Sequence, residues 1–277
     1  MGRLDRLLAT RRAPVAGWRG AASEMLWFGA TQARACVFAG LFFLAVFLVP
    51  REGLLGVGRY DLLLVIALGL QAWLLWARVE TPDEARAIVL FHLAGFVLEL
   101  YKTSGPTPSW TYPDPAVSKV WGVPLFAGFM YAAVGSYIMQ AWRLLRMRIQ
   151  HHPPYAMAGA LAAAFYLNLF TNRYLPDARW LLLAVAVGLY ARCWIVFTPR
   201  DRERRMPYLV GFVLVGFFIW VAENLGTFHG IWLYPDQLRT WTAVSLGKWS
   251  SWTMLAIMSF ALVAHLKHVK ARIHLAP

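Results

Sequence analysis

Residues 207–226 read PYLVGFVLVGFFIWVAENLG, a twenty-residue stretch with a single charged side chain, Glu223. A helix needs about 20 predominantly apolar residues to cross the hydrocarbon core of a bilayer. Only helices and closed barrels satisfy every backbone polar group in lipid, and this run is too continuously apolar for the alternating strands of a barrel. The stretch therefore predicts a transmembrane helix.

The rest of the chain repeats this pattern. Hydrophobic residues make up 59% of the 277 positions and charged residues 15%, whereas a soluble domain carries about a quarter charged residues. The sequence predicts an all-α, polytopic membrane helix bundle of about eight transmembrane helices. Their predicted bounds are Ala35–Val49 (or Met25–Val49), Asp61–Val79, Ala87–Lys102, Gly122–Leu145, Tyr155–Thr171, Trp180–Thr198, Pro207–Gly226 and Trp249–His268.

The net charge is +13, and the basic residues lie between the apolar blocks. This distribution favours a topology signal over nucleic-acid binding. With the N-terminus inside, 17 Lys and Arg residues fall in cytoplasmic segments and 8 in outer loops. This asymmetry predicts that both termini are cytoplasmic. Residues 1–24 form a basic N-terminal segment without the apolar stretch of a signal peptide.

The chain also contains an internal repeat. Trp110-Thr-Tyr-Pro-Asp114 recurs 122 residues later as Trp232-Leu-Tyr-Pro-Asp236, and Glu99 near the end of the third helix matches Glu223 near the end of the seventh. Residues 25–150 and 151–277 are therefore predicted to be two four-helix repeats. Four helices per copy make the repeats parallel, and by analogy a ligand pocket lies between them.

Glu99 and Glu223 are the leading candidates for chemistry, because an ionisable side chain inside an apolar helix is a functional hypothesis by default. Two carboxylates facing one cavity would suit proton exchange, cation binding or general acid catalysis. His92 and Lys102 lie on the same helix face as Glu99. The alternative is that both glutamates lie at the membrane interface, with Glu99 paired to Lys102.

The Trp-x-Tyr-Pro-Asp segments have two interpretations. In the first, Trp and Tyr anchor helices at membrane interfaces and Pro-Asp favours a turn. In the second, the two loops fold over a central pocket and add the carboxylates of the two aspartates, and neither interpretation excludes the other. The ligand-binding candidates are His92, Glu99, Lys102, Trp110, Tyr112, Asp114, Glu223, Asn224, Trp232, Tyr234 and Asp236.

Other polar and small residues in the apolar blocks are expected to be structural. Arg34 and Arg192 are expected to extend to the lipid headgroups. The small residues from Gly128 to Ser136 predict close helix packing. Both cysteines lie in apolar blocks, and no spacing indicates a metal or a cofactor.

Motifs along nearly the whole chain from Glu24 on resemble a bacterial integral membrane family, domain of unknown function 817. The resemblance implies a location in the bacterial inner membrane, and it implies no activity. The motifs are His92-Leu-x-Gly95-Phe with Glu99-x-x-Lys102, Trp110-x-Tyr112-Pro113, Gly122-Val-Pro-Leu-Phe-Ala-Gly128-Phe-Met-Tyr131, Gly135-Ser-Tyr137, Glu223-Asn-x-Gly-Thr, Trp232-x-Tyr234-Pro235 and Lys248-x-Ser-Ser-Trp252.

The Trp-x-Tyr loop followed by Gly-x-Pro also resembles lycopene-cyclase-type domains, which are tandem membrane repeats. Those domains place a Glu-Glu pair after the proline, whereas Pro124 is followed by Leu125 and Phe126, so only the architecture carries over. Three functions stay open: binding or transport of a small solute between the repeats, an enzyme acting on a lipid or isoprenoid, and a non-catalytic membrane partner. The partners expected are the bilayer and an unidentified solute or lipid, and the oligomeric state stays open.

Overall fold

The computed structural model describes the backbone of residues 17–275 and the side chains of residues 17–268. Residues 1–16 of the predicted basic segment, and both termini, lie outside this range. The described part is mostly helical, with nine α-helices and five short strands. The helices are α1 (Gly17–Ala35), α2 (Val37–Leu48), α3 (Arg59–Trp76), α4 (Pro82–Thr103), α5 (Ala127–Leu144), α6 (Tyr155–Thr171), α7 (Arg179–Tyr190), α8 (Tyr208–Phe228) and α9 (Gly247–Leu275). The strands are β1 (Lys119–Val120), β2 (Val123–Pro124), β3 (Arg148–Gln150), β4 (Trp194–Phe197) and β5 (Arg204–Pro207).

Three helices in the described residues are long and apolar enough to cross a membrane: α3, α8 and the part of α9 from Gly247 to His268. Helices α1 and α2 form a fourth candidate span that is bent by 68° around Cys36. Helices α6 and α7 are apolar but shorter, and α4 has the length but carries five charged residues. The fold is therefore a mostly helical one with three to four candidate membrane spans.

Each predicted helix overlaps a helix of the structure, and the bounds of α6 match the prediction. Helix α4 begins earlier than expected, because a capping box starts it at Pro82. The Thr81 hydroxyl accepts a hydrogen bond from the Glu84 amide at 3.2 Å, and the Glu84 carboxylate accepts one from the Thr81 amide at 2.8 Å.

The prediction that the fourth helix begins at Gly122 is wrong. Strands β1 and β2 pair there as a two-residue hairpin, with Val120 opposite Val123. Trp121 and Gly122 occupy the turn with φ of 49° and 85°. Positive φ at both central residues is the geometry of the tight turn whose twist matches a hairpin, so the helix begins only at Ala127.

The prediction that the sixth helix continues to Thr198 is also wrong. Helix α7 ends at Tyr190 after 12 residues, or about 18 Å, which is too short to cross the hydrocarbon. Residues Trp194–Phe197 form β4 instead, the central strand of an antiparallel sheet in the order β3-β4-β5. A short apolar run of β-branched and aromatic residues fits a strand as well as a helix.

Helix α5 occupies the centre of the bundle, where twelve of its eighteen residues are buried. It packs closely on α4 through glycines, as the small-residue stripe predicted. A Cβ on Gly128 would lie 2.7 Å from the His92 carbonyl oxygen, and one on Gly135 would lie 2.5 Å from the Phe91 ring. This close contact places one face of α4, including Glu99, against α5.

Candidate functional site

Glu99 lies one turn before the end of α4 and is buried, with 2% of its surface exposed. Three aromatic side chains donate hydrogen bonds to its carboxylate. Trp110 Nε1 and Tyr112 Oη lie 2.7 and 2.8 Å from Oε2, and Tyr131 Oη lies 2.8 Å from Oε1. The alternative in which Glu99 pairs with Lys102 does not hold, because the Lys102 ammonium donates to Asn172 Oδ1 at 2.8 Å.

Glu223 occupies the corresponding position on α8 and is equally buried. The Tyr234 hydroxyl donates to its Oε1, and Trp252 Nε1 on α9 donates to its Oε2 at 2.6 Å. The Lys248 ammonium is close enough to attract the carboxylate electrostatically. Each glutamate is thus held by a tyrosine from a Trp-x-Tyr-Pro-Asp loop and by an indole N–H.

The two loops contact each other at their middle residues. Thr111 and Leu233 exchange both backbone hydrogen bonds, each at 2.9 Å, as an antiparallel bridge. The Trp110 ring meets the Tyr234 ring edge-on at 6.1 Å between centroids. The Lys248 ammonium lies 4.4 Å from the Tyr234 centroid and 5.9 Å from that of Trp110.

These contacts join both glutamates into one assembly of buried and half-buried side chains, here called the carboxylate–aromatic cluster. Its members are Glu99, Trp110, Tyr112, Tyr131, Glu223, Tyr234, Lys248 and Trp252.

The loop tyrosines of the cluster are permanent hydrogen-bond donors. Burial raises the pKa of Tyr112 well above its ordinary value of 10.0, and the neighbouring Glu99 carboxylate raises it further. Burial also raises the pKa of Tyr234 well above 10.0, and the neighbouring Glu223 carboxylate raises it further. Both phenols therefore stay protonated and keep donating to the carboxylates at neutral pH.

Several predicted site residues lie outside the cluster. His92 packs against the Phe96 and Phe129 rings, and its buried Nδ1 has no hydrogen-bond partner among the described residues. Asp114 pairs with Arg51 at 3.1 Å and with Arg59 at 3.8 Å, so it does not add a carboxylate to the glutamates.

The second copy of the motif also differs from expectation. Asn224 accepts a hydrogen bond from the Val244 amide at 2.9 Å and thereby holds the loop before α9. Trp232 is buried against Gly226, and Asp236 is exposed. The indole that reaches Glu223 comes from Trp252, although the motif position corresponding to Trp110 is Trp232.

Three cluster members were absent from the predicted site: Tyr131, Lys248 and Trp252. All three belong to the motifs that carry the family resemblance, and that was the signal available in the sequence. Spacing alone did not connect them to the glutamates, because they lie on different helices, α5 and α9.

A second buried polar group, which the sequence did not indicate, surrounds Glu80 in the turn between α3 and α4. Ser136 Oγ and Gln71 Nε2 each donate to its carboxylate at 2.5 Å, and Gln140 Nε2 donates at 3.2 Å. Burial raises the pKa of Glu80 above its ordinary value of 4.5, and the hydrogen bonds only partly oppose that rise.

Arg34 belongs to the same group, since its Nη1 donates to Gln140 Oε1 at 2.6 Å. The expectation that Arg34 extends to the headgroups is wrong, because the residue is only 9% exposed. Arg192 is exposed, and nothing contradicts the expectation for it.

An apolar groove of about 250 Å³ runs between α4, α5, α6 and α9 beside the cluster. The Tyr131 ring forms part of its wall, so this side chain borders both the groove and Glu99. The buried Ser259 hydroxyl also faces the groove and has no hydrogen-bond partner within residues 17–268. In the same range, no three His, Cys, Asp or Glu side chains are grouped closely enough to hold a metal ion.

Fold and site together define a mostly helical protein with three to four helices that can cross a membrane and with buried carboxylates held by aromatic donors. The chain belongs to the family described as "Protein of unknown function (DUF817)", which matches residues 24–260. It is similar to "Uncharacterized protein YoaT" of Bacillus subtilis (strain 168), with 43% identity over 250 residues, covering 90% of this chain and 94% of the relative. No solved structure matches the chain significantly.

Proposed function

We propose that this chain is a multi-pass protein of the bacterial inner membrane that binds or transports a small solute at the carboxylate–aromatic cluster. In this proposal the chain crosses the membrane about eight times, as two parallel four-helix repeats with both termini in the cytoplasm, and the crossing that contains the short helix α7 also includes the residues that lead into β4. The cluster lies between the repeats. The observation that carries the proposal is that two buried glutamates, one from each half, are joined through their aromatic partners.

Three contacts support the repeat. Where two equivalent residues meet on a pseudo-two-fold axis, each makes the same contact with the other. Thr111 and Leu233 are equivalent in the two motifs, and their reciprocal pair of backbone hydrogen bonds has that form. Glu99 and Glu223 each accept from a loop tyrosine and an indole. Gly95 on α4 packs against Tyr131, 36 residues later, and Gly216 on α8 packs against Thr253, 37 residues later. The two helices thus use a glycine at matching positions for a close contact.

The distribution of charge supports the orientation. The sheet formed by β3, β4 and β5 carries several arginines, and Arg204 on β5 binds Glu24 of α1 with two hydrogen bonds of 2.6 Å. This basic end lies opposite the Trp-x-Tyr-Pro-Asp loops along the chain's helices. An excess of Lys and Arg on one side is characteristic of the cytoplasmic face.

The chemistry of the cluster favours a cationic solute, such as a small amine or quaternary ammonium ion. The cluster contains two carboxylates and a single ammonium, and aromatic faces attract cations in a desolvated site. The Lys248 ammonium already lies over the rings of Tyr234 and Trp110, beside Glu223. In this proposal Lys248 is an internal cation that a solute cation displaces.

Calorimetric titration of the purified protein in detergent with tetramethylammonium tests this proposal. The wild type is expected to bind, and Glu223→Gln is expected to weaken binding at least tenfold, or about 1.4 kcal/mol. Lys248→Met is expected to tighten it, because the competing internal cation is removed. The matched control is Asp83→Asn, an exposed acid whose side chain pairs with Arg86 at 3.2 Å on the surface of α4. Absence of binding to the wild type, or equal binding to the Glu99→Gln/Glu223→Gln double variant, refutes the proposal.

A further inference from the structure

The apolar groove opens at the surface of the helix bundle, where Ala163 of its lining is exposed. Its floor is Tyr131 on α5 and Leu255, Met258 and Ser259 on α9, and the small side chains of Ala162 and Ala163 leave the gap beside α6. The adjoining surface is apolar and exposed, with exposed fractions of 56% at Leu93, 52% at Val97 and 61% at Leu167. The lining exposes almost entirely apolar atoms, so the groove suits a hydrocarbon chain better than a polar solute.

Basic side chains border the outer end of this groove. Leu98 and Leu169 line the groove. Lys102 lies one helical turn after Leu98 on α4, and Arg173 lies four residues after Leu169, in the turn that follows α6. Lys248 and Arg179 lie near enough to repel the Lys102 ammonium electrostatically. Lys102, Arg173, Arg179 and Lys248 are here called the basic rim.

The basic rim has more positive charge than its own carboxylates balance. Asp177 pairs with Arg179 at 2.8 Å, and Glu223 attracts Lys248. Lys102 is only 8% exposed, and within the described residues its ammonium makes one hydrogen bond, to Asn172, and no ion pair with a carboxylate. An ammonium has three donors, so two stay available to an anion.

The Arg173 guanidinium is likewise held without a carboxylate in the described residues. It stacks over the Tyr101 ring at 5.0 Å, and its Nη2 lies 3.4 Å from the carbonyl oxygens of Tyr101 and Lys102 at the end of α4. These contacts orient the side chain at the mouth of the groove. The Lys102 ammonium and the Arg173 guanidinium can bind a phosphate at the end of the groove, and the apolar groove can hold a hydrocarbon chain attached to that phosphate.

We propose that the groove and the basic rim bind one anionic phospholipid, with the phosphate on Lys102 and Arg173 and one acyl chain between α4 and α6. The site differs from that of the proposed solute: the acyl chain contacts the outer face of Tyr131, and the glutamates lie on its other side. The lipid thus stabilises the contact between α4 and α6, a position where the two helices leave a gap.

Native mass spectrometry of the detergent-solubilised protein tests this assignment, with phosphatidylglycerol and phosphatidylcholine of identical acyl chains as probes. The wild type is expected to retain phosphatidylglycerol at least tenfold better. Lys102→Gln and Arg173→Gln are each expected to lower that retention several-fold. Lys102→Arg keeps the positive charge and is expected to retain the lipid as well as the wild type does. Arg239→Gln, which removes an exposed arginine from an outer loop, is the matched control and is expected to leave retention unchanged.

A groove-filling variant separates a lipid from a free phosphate compound. Ala163 is exposed, so Ala163→Phe narrows the groove without disturbing a packed core, and it is expected to lower lipid retention at unchanged thermal stability. Glycerol phosphate is expected not to displace the lipid. Equal retention of both lipids, no effect of Ala163→Phe, or displacement by glycerol phosphate would each overturn the assignment. None of these outcomes depends on whether tetramethylammonium binds.

Discussion

Replacing Gly95 with alanine places a methyl group against the Tyr131 side chain, with the new Cβ only 2.6 Å from the Tyr131 Cβ. Overpacking of this kind costs roughly 1–3 kcal/mol. The displaced Tyr131 hydroxyl also loses its hydrogen bond to the Glu99 carboxylate, which is worth about 1.5–3 kcal/mol. Alanine regains roughly 1 kcal/mol of helix propensity over glycine. The net expectation is a loss of about 1.5–5 kcal/mol in the free energy of unfolding.

Reversible unfolding in mixed detergent micelles, followed by circular dichroism, measures this loss. Gly69→Ala is the matched control, because Gly69 lies on helix α3 with nothing within 4 Å of its Cβ position. It is expected to be neutral or stabilising by up to about 1 kcal/mol. In a Tyr131→Ala background, Gly95→Ala is expected to lose its cost, as a double-mutant cycle requires of a pairwise clash. If Gly95→Ala is as stable as Gly69→Ala in the wild-type background, the packing of Tyr131 on Gly95 is refuted.

Three further outcomes follow from the contacts. Asp114→Asn leaves the buried Arg59 guanidinium without its carboxylate and is expected to cost roughly 3–5 kcal/mol in chemical unfolding. Because the pKa of Glu80 is raised on folding, its contribution to stability declines as pH rises above 4.5, so Glu80→Gln is expected to flatten the fall of the melting temperature with pH. Cysteines at Thr111 and Leu233 are expected to form a disulfide, since a hydrogen-bonded antiparallel pair has its Cα atoms about 5.5 Å apart.

Each of these outcomes has its own control. Asp83→Asn, at an exposed ion pair, is expected to change stability by less than about 1 kcal/mol, and an equal loss in both aspartate variants would contradict a buried role for Asp114. If the melting temperature of Glu80→Gln depends on pH as that of the wild type does, the pKa of the Glu80 carboxyl is not raised on folding. Thr111→Cys combined with Leu175→Cys, which lies in the loop between α6 and α7, is expected to stay reduced. A disulfide in that pair as well would show only that the loops are mobile.

The sequence predicted the helices best where apolar runs were long. The bounds of α6 and, within one residue, the start of α8 followed from hydropathy, because each helix is a nearly uninterrupted apolar run. The short run Trp194–Phe197 was misassigned, since its strand character depends on β3 and β5 pairing on either side. The hairpin at Gly122 depends on two positive φ angles, which no apolar periodicity reports.

The candidate site was predictable to the extent that charge in an apolar helix is unusual. Glu99 and Glu223 stood out for that reason, and the loop motif identified Tyr112 and Tyr234 beside them. Trp252 was not predictable from the motif, because which indole reaches Glu223 depends on the rotation of α9 against α8. Glu80 lies at a helix boundary, where a charged residue is ordinary, and only the packing of α5 over the turn buries it.

The bridge between the two loops has a consequence for how the sequence is free to vary. Thr111 and Leu233 connect the two loops through main-chain atoms, so this hydrogen-bonded contact requires no particular side chain at either position. The flanking tryptophan, tyrosine, proline and aspartate are the same in both copies, and the residue between tryptophan and tyrosine differs. The variable position of the motif is therefore the position whose backbone joins the two loops.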